Sequence, residues 1–255
     1  YIEQLLTNAG MQDCKPISTP MTKDRPSNKD TPQGKLDAID YKISTNEINV
    51  SDAAKEKKKI NEERKYMSDL QKQRYGYRSV VGALSHLARR ARPEIQFSTF
   101  YHSRYQNDPG LTHWKSIKRI LRYLQRTKHK CCKADKARPL LEIYVDSDFM
   151  GDPDKKRSTT GYTILMHGVP IATKSKLQTL PAKSTTGAEL IALTECVSKV
   201  LWIRKILLDF NISTEIKIHD DSQTTIKTIK NQKLLKGSEH IAGKYHFVKG
   251  YVERG

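Results

Sequence analysis

Asp146, Asp148 and Asp152 close the stretch IYVDSDFMGD (143–152), in which an alternating apolar run ends in three carboxylates. Further acids stand downstream, at Glu189 in KSTTGAELIAL and at Asp220-Asp221 in EIKIHDDSQTT. Carboxylates about 4 Å apart repel by roughly 4 kcal/mol at an effective dielectric of 20. Such a group is either splayed into water or held by a cation. If Asp146, Glu189 and Asp221 converge, an oxygen-only ligand set suits Mg²⁺ or Mn²⁺ rather than zinc.

Each member also has a structural reading. Thr186-Gly187-Ala188-Glu189 fits a capping box, in which Glu189 satisfies backbone N–H groups. Asp220-Asp221 fits a strand-to-helix turn with one residue as N-cap. Asp148, Asp152 and Asp154 read as solvated loop acids, and only Asp146 as part of the strand. Spacing alone leaves both readings open.

The elements that would position these acids follow from periodicity. LLEIYVD alternates as a strand, and TGYTILMHGVPIATKSK reads as two strands around a His167-Gly168 turn. Residues 186–210 carry Leu190, Leu193, Val197, Val200, Leu201 and Leu208 along one side of a long helix. EIKIHD (215–220) reads as a strand, with helices over 222–231 and 238–252. This order predicts an α/β sheet whose first and fourth strands are parallel neighbours linked through the long helix. Asp146 and Asp221 would then share the carboxyl edge, where open α/β sheets bind ligands, and Glu189 would lie near it in the helix's first turn.

The upstream part differs. Residues 1–10 read as a short helix stopped by Gly10, and Pro16 and Pro20 keep 13–21 extended. From 22 to 72 the chain is polar and turn-rich, then densely charged (KEKKKINEERK). Its composition predicts a disordered or loosely helical insertion without a packed core. Residues 77–128 are helical in pattern, with Val80, Val81, Leu84 and Leu87 on one helix and Trp114, Ile117, Leu121 and Leu124 on another.

Across its 255 residues the chain has 46 Lys plus Arg against 28 Asp plus Glu, a net charge of +18. That excess points to a polyanionic partner, with nucleic acid leading. Candidate phosphate-binding groups are the Lys155-Lys156-Arg157 loop, Lys174, Lys176, and the face bearing Lys115, Lys118, Arg119 and Arg122. No apolar run approaches the ~20 residues of a spanning helix, so no membrane partner is expected, and YIEQLLTNAG is not a signal peptide. Cys14, Cys131, Cys132 and Cys196 lack CxxC spacing and read as reduced intracellular thiols.

Several motifs carry a resemblance. IYVDSDFMGDPDKKRSTTGYT, KSTTGAELIALTECVSKVLWIRKIL and DDSQTTI resemble the ribonuclease H domain of copia-type LTR retrotransposon Pol polyproteins. YIEQLLTNAGMQDCKPISTPM, YRSVVGALSHLARRARPEI and HWKSIKRILRYLQRT resemble the segment after the polymerase palm in the same polyproteins. The resemblance implies a ribonuclease H-like mixed sheet with crossover helices, preceded by a mainly helical polymerase-tail region. It divides the chain into 1–21 (start of the tail), 22–72 (insertion), 73–138 (thumb- or connection-like helices) and 139–255 (ribonuclease H-like).

By the same resemblance Asp146, Glu189 and Asp221 are metal ligands for two Mg²⁺ or Mn²⁺ ions, and the activity is hydrolysis of RNA paired with DNA. The implied partners are an RNA–DNA hybrid and the rest of the Pol polyprotein, its palm and fingers lying upstream. The implied location is intracellular, in a cytoplasmic particle or the nucleus. Two departures stand out. Gly187 occupies a position where the family has an acid, and the family's domain continues past Gly255 into a fifth strand and a fourth Asp. Weak or absent cleavage by this chain is therefore expected. The alternatives are a remnant that binds nucleic acid without cutting it and an integrase-type nuclease, which the polymerase-tail motifs argue against.

Overall fold

The chain divides into two units, Tyr1–Lys130 and Cys131–Gly255. A computed structural model describes residues 1–230 and 242–253.

The first unit is helical: α1 (Ile2–Asn8), α2 (Pro32–Ser44), α3 (Val50–Lys72), α4 (Tyr77–Arg90), α5 (Gln96–Ser103) and α6 (Leu111–Thr127). Val80, Val81, Leu84 and Leu87 of α4 meet Trp114, Ile117, Leu121 and Leu124 of α6 in one core, as the 3–4 spacing predicts. Beyond α4 the chain turns at Arg92-Pro93. The buried Arg92 guanidinium donates to Glu94 and to both the carbonyl and the hydroxyl of Thr127, which joins that turn to the end of α6.

Of the two readings of residues 22–72, the structure shows the helical one, and it corrects the expectation that the segment lacks a packed core. Pro32 opens α2 behind the Thr31 cap, whose hydroxyl accepts from Gly34 N, and Asn49 caps α3 through Asp52 N. Along α3, Ala53, Ile60 and Met67 fall seven residues apart on one buried seam. Ile39 of α2 packs with Ala53 and Ile60, whereas Met67 and Leu70 join the main core. Residues seven apart lie almost on one face of a helix, two turns on, so these three form one buried line although they are sparse. The lysines and glutamates around it dilute the signal to near-invisibility.

The second unit is an α/β layer. Its strands β1 (Leu141–Asp148), β2 (Thr159–Met166), β3 (Val169–Leu177) and β4 (Ile218–Asp220) form a mixed sheet in the order β3-β2-β1-β4. β2 and β3 join through His167 and Gly168, whose φ values of 48° and 79° place both residues in the left-handed region that a two-residue hairpin requires. β1 pairs with β2 antiparallel and with β4 parallel, setting Val145 opposite Asp220. The expected parallel neighbours are therefore present, although β4 is shorter than the 215–220 run suggested. Leu141, Ile143 and Val145 point into a core shared with Leu190, Leu193, Val197 and Val200 of α7 (Thr185–Asp209). Two more helices follow, α8 (Gln223–Lys230) and α9 (Ala242–Val252). Among the described residues no helix is long and apolar enough to cross a membrane.

Candidate metal centre

The three acids come from three elements. Asp146 lies near the end of β1, on the face opposite Val145. Asp221 directly follows β4, and Glu189 lies just beyond the first turn of α7. One carboxylate oxygen from each lies within 4.8 Å of the other two. The parallel β1–β4 pairing produces this convergence, because it brings two strand ends to one edge beneath the start of the crossover helix.

The local geometry removes the capping readings. Ser184, not Thr186, caps α7, its hydroxyl accepting from Gly187 N at 3.1 Å. Ser222 Oγ accepts from Thr225 N at the start of α8, while Asp220 Oδ1 accepts from Ser222 N at 2.8 Å. Neither Glu189 nor Asp221 is needed to terminate a helix.

Glu189 is the buried member, 8% exposed, whereas Asp146 and Asp221 are exposed. Its Oε2 is sealed from solvent without a hydrogen-bond partner. Burial is the main cause that lifts its carboxyl to about 7, and Asp220, Asp146 and Asp221 push in the same direction. The nearby Ser147 hydroxyl opposes the rise, yet neither its Oγ nor Glu189 Oε2 completes a hydrogen bond of ordinary geometry. Asp220 is also raised, first by burial, then by Asp221 and Asp146 against the Ser222 N–H bond. Its Oδ2 is a second orphaned oxygen. A sealed, unpartnered carboxylate oxygen beside two exposed carboxylates is the donor set a hard divalent cation takes.

Other positions differ from the sequence reading. β1 continues through Asp148, so Asp146 is not its only acid. Asp152, expected to be solvated, is 2% exposed. Its Oδ2 accepts from Lys155 N, its carbonyl from Lys156 N, and its own N–H donates to Arg157 O. Asp152 thus folds the loop that leaves Lys155 and Lys156 exposed and Arg157 partly buried. Lys176 is exposed, but Lys174 pairs with Glu195 at 2.6 Å. In the first unit Lys115 is exposed and Lys118 lies 5.5 Å from the Trp114 ring centroid. Arg119 donates to Thr19 Oγ1 and Arg122 to the Lys15 carbonyl, so both fasten the 13–21 segment to α6. Gln178 escaped the sequence reading, and Asp220 was read there only as part of a strand-to-helix turn. Asp220 had a signal, since Ile216, Ile218 and Asp220 alternate onto one face.

A tobacco (Nicotiana tabacum) retrovirus-related Pol polyprotein from transposon TNT 1-94 is 32% identical over 254 residues, 99% of this chain and 17% of its own length. The chain is a homologue of retrovirus-related Pol polyproteins. A second Pol polyprotein, from transposon RE2 of Arabidopsis thaliana, is 33% identical over 182 residues, 70% of the chain and 12% of the polyprotein. A secreted RxLR effector protein of Plasmopara viticola is 35% identical over 128 residues, 50% of the chain and 90% of the effector. The tobacco match runs through both units, and so sets the kinship where the half-chain match does not. This Pol homologue spans less than a fifth of the polyproteins it matches. No family profile and no solved structure matches it.

Proposed function

We propose that the second unit is a ribonuclease H-type centre, of the copia kind, that hydrolyses the RNA strand of RNA–DNA hybrids. The observation that carries this reading is the convergence of Asp146, Glu189 and Asp221 within 4.8 Å, with Glu189 buried and lacking a partner. Two bound Mg²⁺ or Mn²⁺ ions would supply Lewis-acid activation of water and of the scissile phosphate. The chain's own part is to hold the ligands. β1 and β4 fix the two exposed carboxylates, and α7 carries Glu189 down to them. The exposed Lys155, Lys156 and Lys176 supply positive charge toward phosphates in the same unit. The homologues' identity as Pol polyproteins supports a substrate made during reverse transcription.

The test is cleavage of a hybrid labelled on its RNA strand, with Mg²⁺ or Mn²⁺, by the parent chain and by Asp146→Asn. Metal-dependent shortening of RNA alone, slow for this chain as its two departures imply and abolished by the substitution, is the expected result. Salt-sensitive binding of hybrid without cleavage, under either metal, would replace this reading with that of a non-cutting binder.

A further inference from the structure

We infer that the first unit carries a separate nucleic-acid phosphate site, in a polar cleft between the second half of α3, the start of α4 and the loop 106–109. The cleft encloses about 590 Å³, and its lining includes Arg64, Lys65 and Arg78 against one carboxylate, Asp108. Amide side chains form much of the remainder, and Met67 and Pro109 are its apolar members. That excludes a greasy ligand and favours one read by guanidinium and amide hydrogen bonds.

The two guanidinium groups are held in place. Gln71 bridges the walls, its Nε2 donating to the Gln106 carbonyl at 3.1 Å and its Oε1 accepting from Arg78 N at 3.2 Å. Arg78 Nη2 donates to Asn107 Oδ1 at 2.9 Å, which orients the guanidinium while leaving most of its N–H fork for a ligand. Arg64 Nε lies 3.5 Å from Asp108 Oδ1 and its Nη2 3.4 Å from Gln33 Oε1. A side chain already ordered loses less entropy on binding. α4 adds the positive end of its dipole beside Arg78, although the Arg78 N–H itself is already taken by Gln71 Oε1. An acidic peptide would satisfy the same charges and amides, so the choice of occupant rests on the field of the whole chain. A phosphodiester backbone uses both, and the chain's +18 net charge draws it in. The site also gives the 22–72 segment a role, since α3 supplies six of the lining residues.

The experiment measures binding of a short fluorescent RNA–DNA hybrid in EDTA, where the metal centre contributes nothing, so that failure here and failure of the hydrolase reading remain distinct. Arg64→Gln, Lys65→Gln and Arg78→Gln together are compared with Lys55→Gln, Lys58→Gln and Lys59→Gln, an equal charge change on the same helix outside the cleft. The cleft variant should weaken binding about tenfold or more and flatten the salt dependence by up to about 0.9 in slope for each phosphate no longer neutralised. The control should change affinity far less. Equal losses in the two variants, or none in either, would overturn the site. If the triple variant unfolds, Lys65→Glu alone, at an exposed position, decides by the same comparison with Lys58→Glu.

Discussion

Two largely buried glutamates, one in each unit, meet opposite fates. Glu63 in α3 accepts from Lys35 Nζ through both oxygens, at 2.9 and 2.7 Å, and its Oε1 also accepts from Leu111 N at the start of α6. It joins three helices and leaves no oxygen idle. Glu189 in α7 has a sealed, unpartnered Oε2 and faces Asp146, Asp220 and Asp221. Burial alone thus marks neither residue as functional. The company of like charges does, because the fold holds Glu189 among three aspartates, where only the Ser147 hydroxyl acts to lower its pKa.

The largest effect expected from this contrast is on pH dependence without metal. Glu189 titrates near 7 in the folded protein, above its ordinary 4.5, so the folded chain keeps a proton that the unfolded chain releases. Its contribution therefore lowers stability as pH rises from about 4.5 to 7, and the loss is complete above that range. At about 1.4 kcal/mol per pH unit the total reaches at most about 3.5 kcal/mol. Glu189→Gln should match the parent at pH 4 and exceed it by up to that amount at pH 8, in denaturant unfolding with EDTA. Saturating Mn²⁺, at about 100 times its Kd, should stabilise the parent by about 2.7 kcal/mol and the variant much less. A parent curve with no greater fall than the variant's would erase the distinction between the two glutamates.

Glu63→Ala should move the other way, losing about 2 kcal/mol at neutral pH, as it leaves Lys35 and Leu111 N without their acceptor. Mn²⁺ should not restore that loss. Recovery on adding metal would place Glu63 in the same class as Glu189.

Much of the second unit was legible because its signals are local and strong: the alternating run into Asp146, the His167-Gly168 turn, and an apolar helix long enough to force a parallel crossover. The Asp146–Glu189–Asp221 grouping was one of two readings that topology left open, and the family resemblance implied it. Less legible was anything set by a single partner far away in sequence. Asp152 reads as one more loop acid until its loop closes on it, and Arg122 reads as a free cation until Lys15 is seen beneath it. The seam at Ala53, Ile60 and Met67 is too sparse to outweigh the charge around it.

Gln178 sharpens the comparison at a smaller scale. It is 3% exposed, and its Nε2 donates to the Ala188 carbonyl at 2.9 Å and to Thr160 Oγ1 at 3.2 Å. The residue next to Glu189 is thereby tied to β2, so in the proposed metal centre Gln178 would position Glu189 without itself touching a cation. Gln178→Ala should cost about 1.5 kcal/mol of stability and also weaken Mn²⁺ binding several-fold. Altered stability with unchanged Mn²⁺ affinity would reduce Gln178 to a packing residue.

The smallest effect belongs to Arg119 and Arg122, and it separates a cation that binds a partner from one that binds its own chain. Arg122 Nε donates to the Lys15 carbonyl at 2.7 Å, and Ile17 N donates to the Arg122 carbonyl at 3.4 Å, so α6 and the 13–21 segment hold each other at this point. Arg119 Nη2 adds a bond to Thr19 Oγ1. These bonds are partly solvated, and each is expected to contribute no more than about 1 kcal/mol. Replacing either arginine with Ala should therefore speed amide exchange around residues 15–19 while leaving the melting of the α4–α6 core nearly unchanged. The slope of hybrid binding against salt should shift less than for Lys115→Ala, whose ammonium is exposed on the same helix. If Arg122→Ala flattens that slope as much as Lys115→Ala and exchange at 15–19 stays slow, the guanidinium faces phosphate rather than Lys15, and the first unit carries a second basic surface along α6.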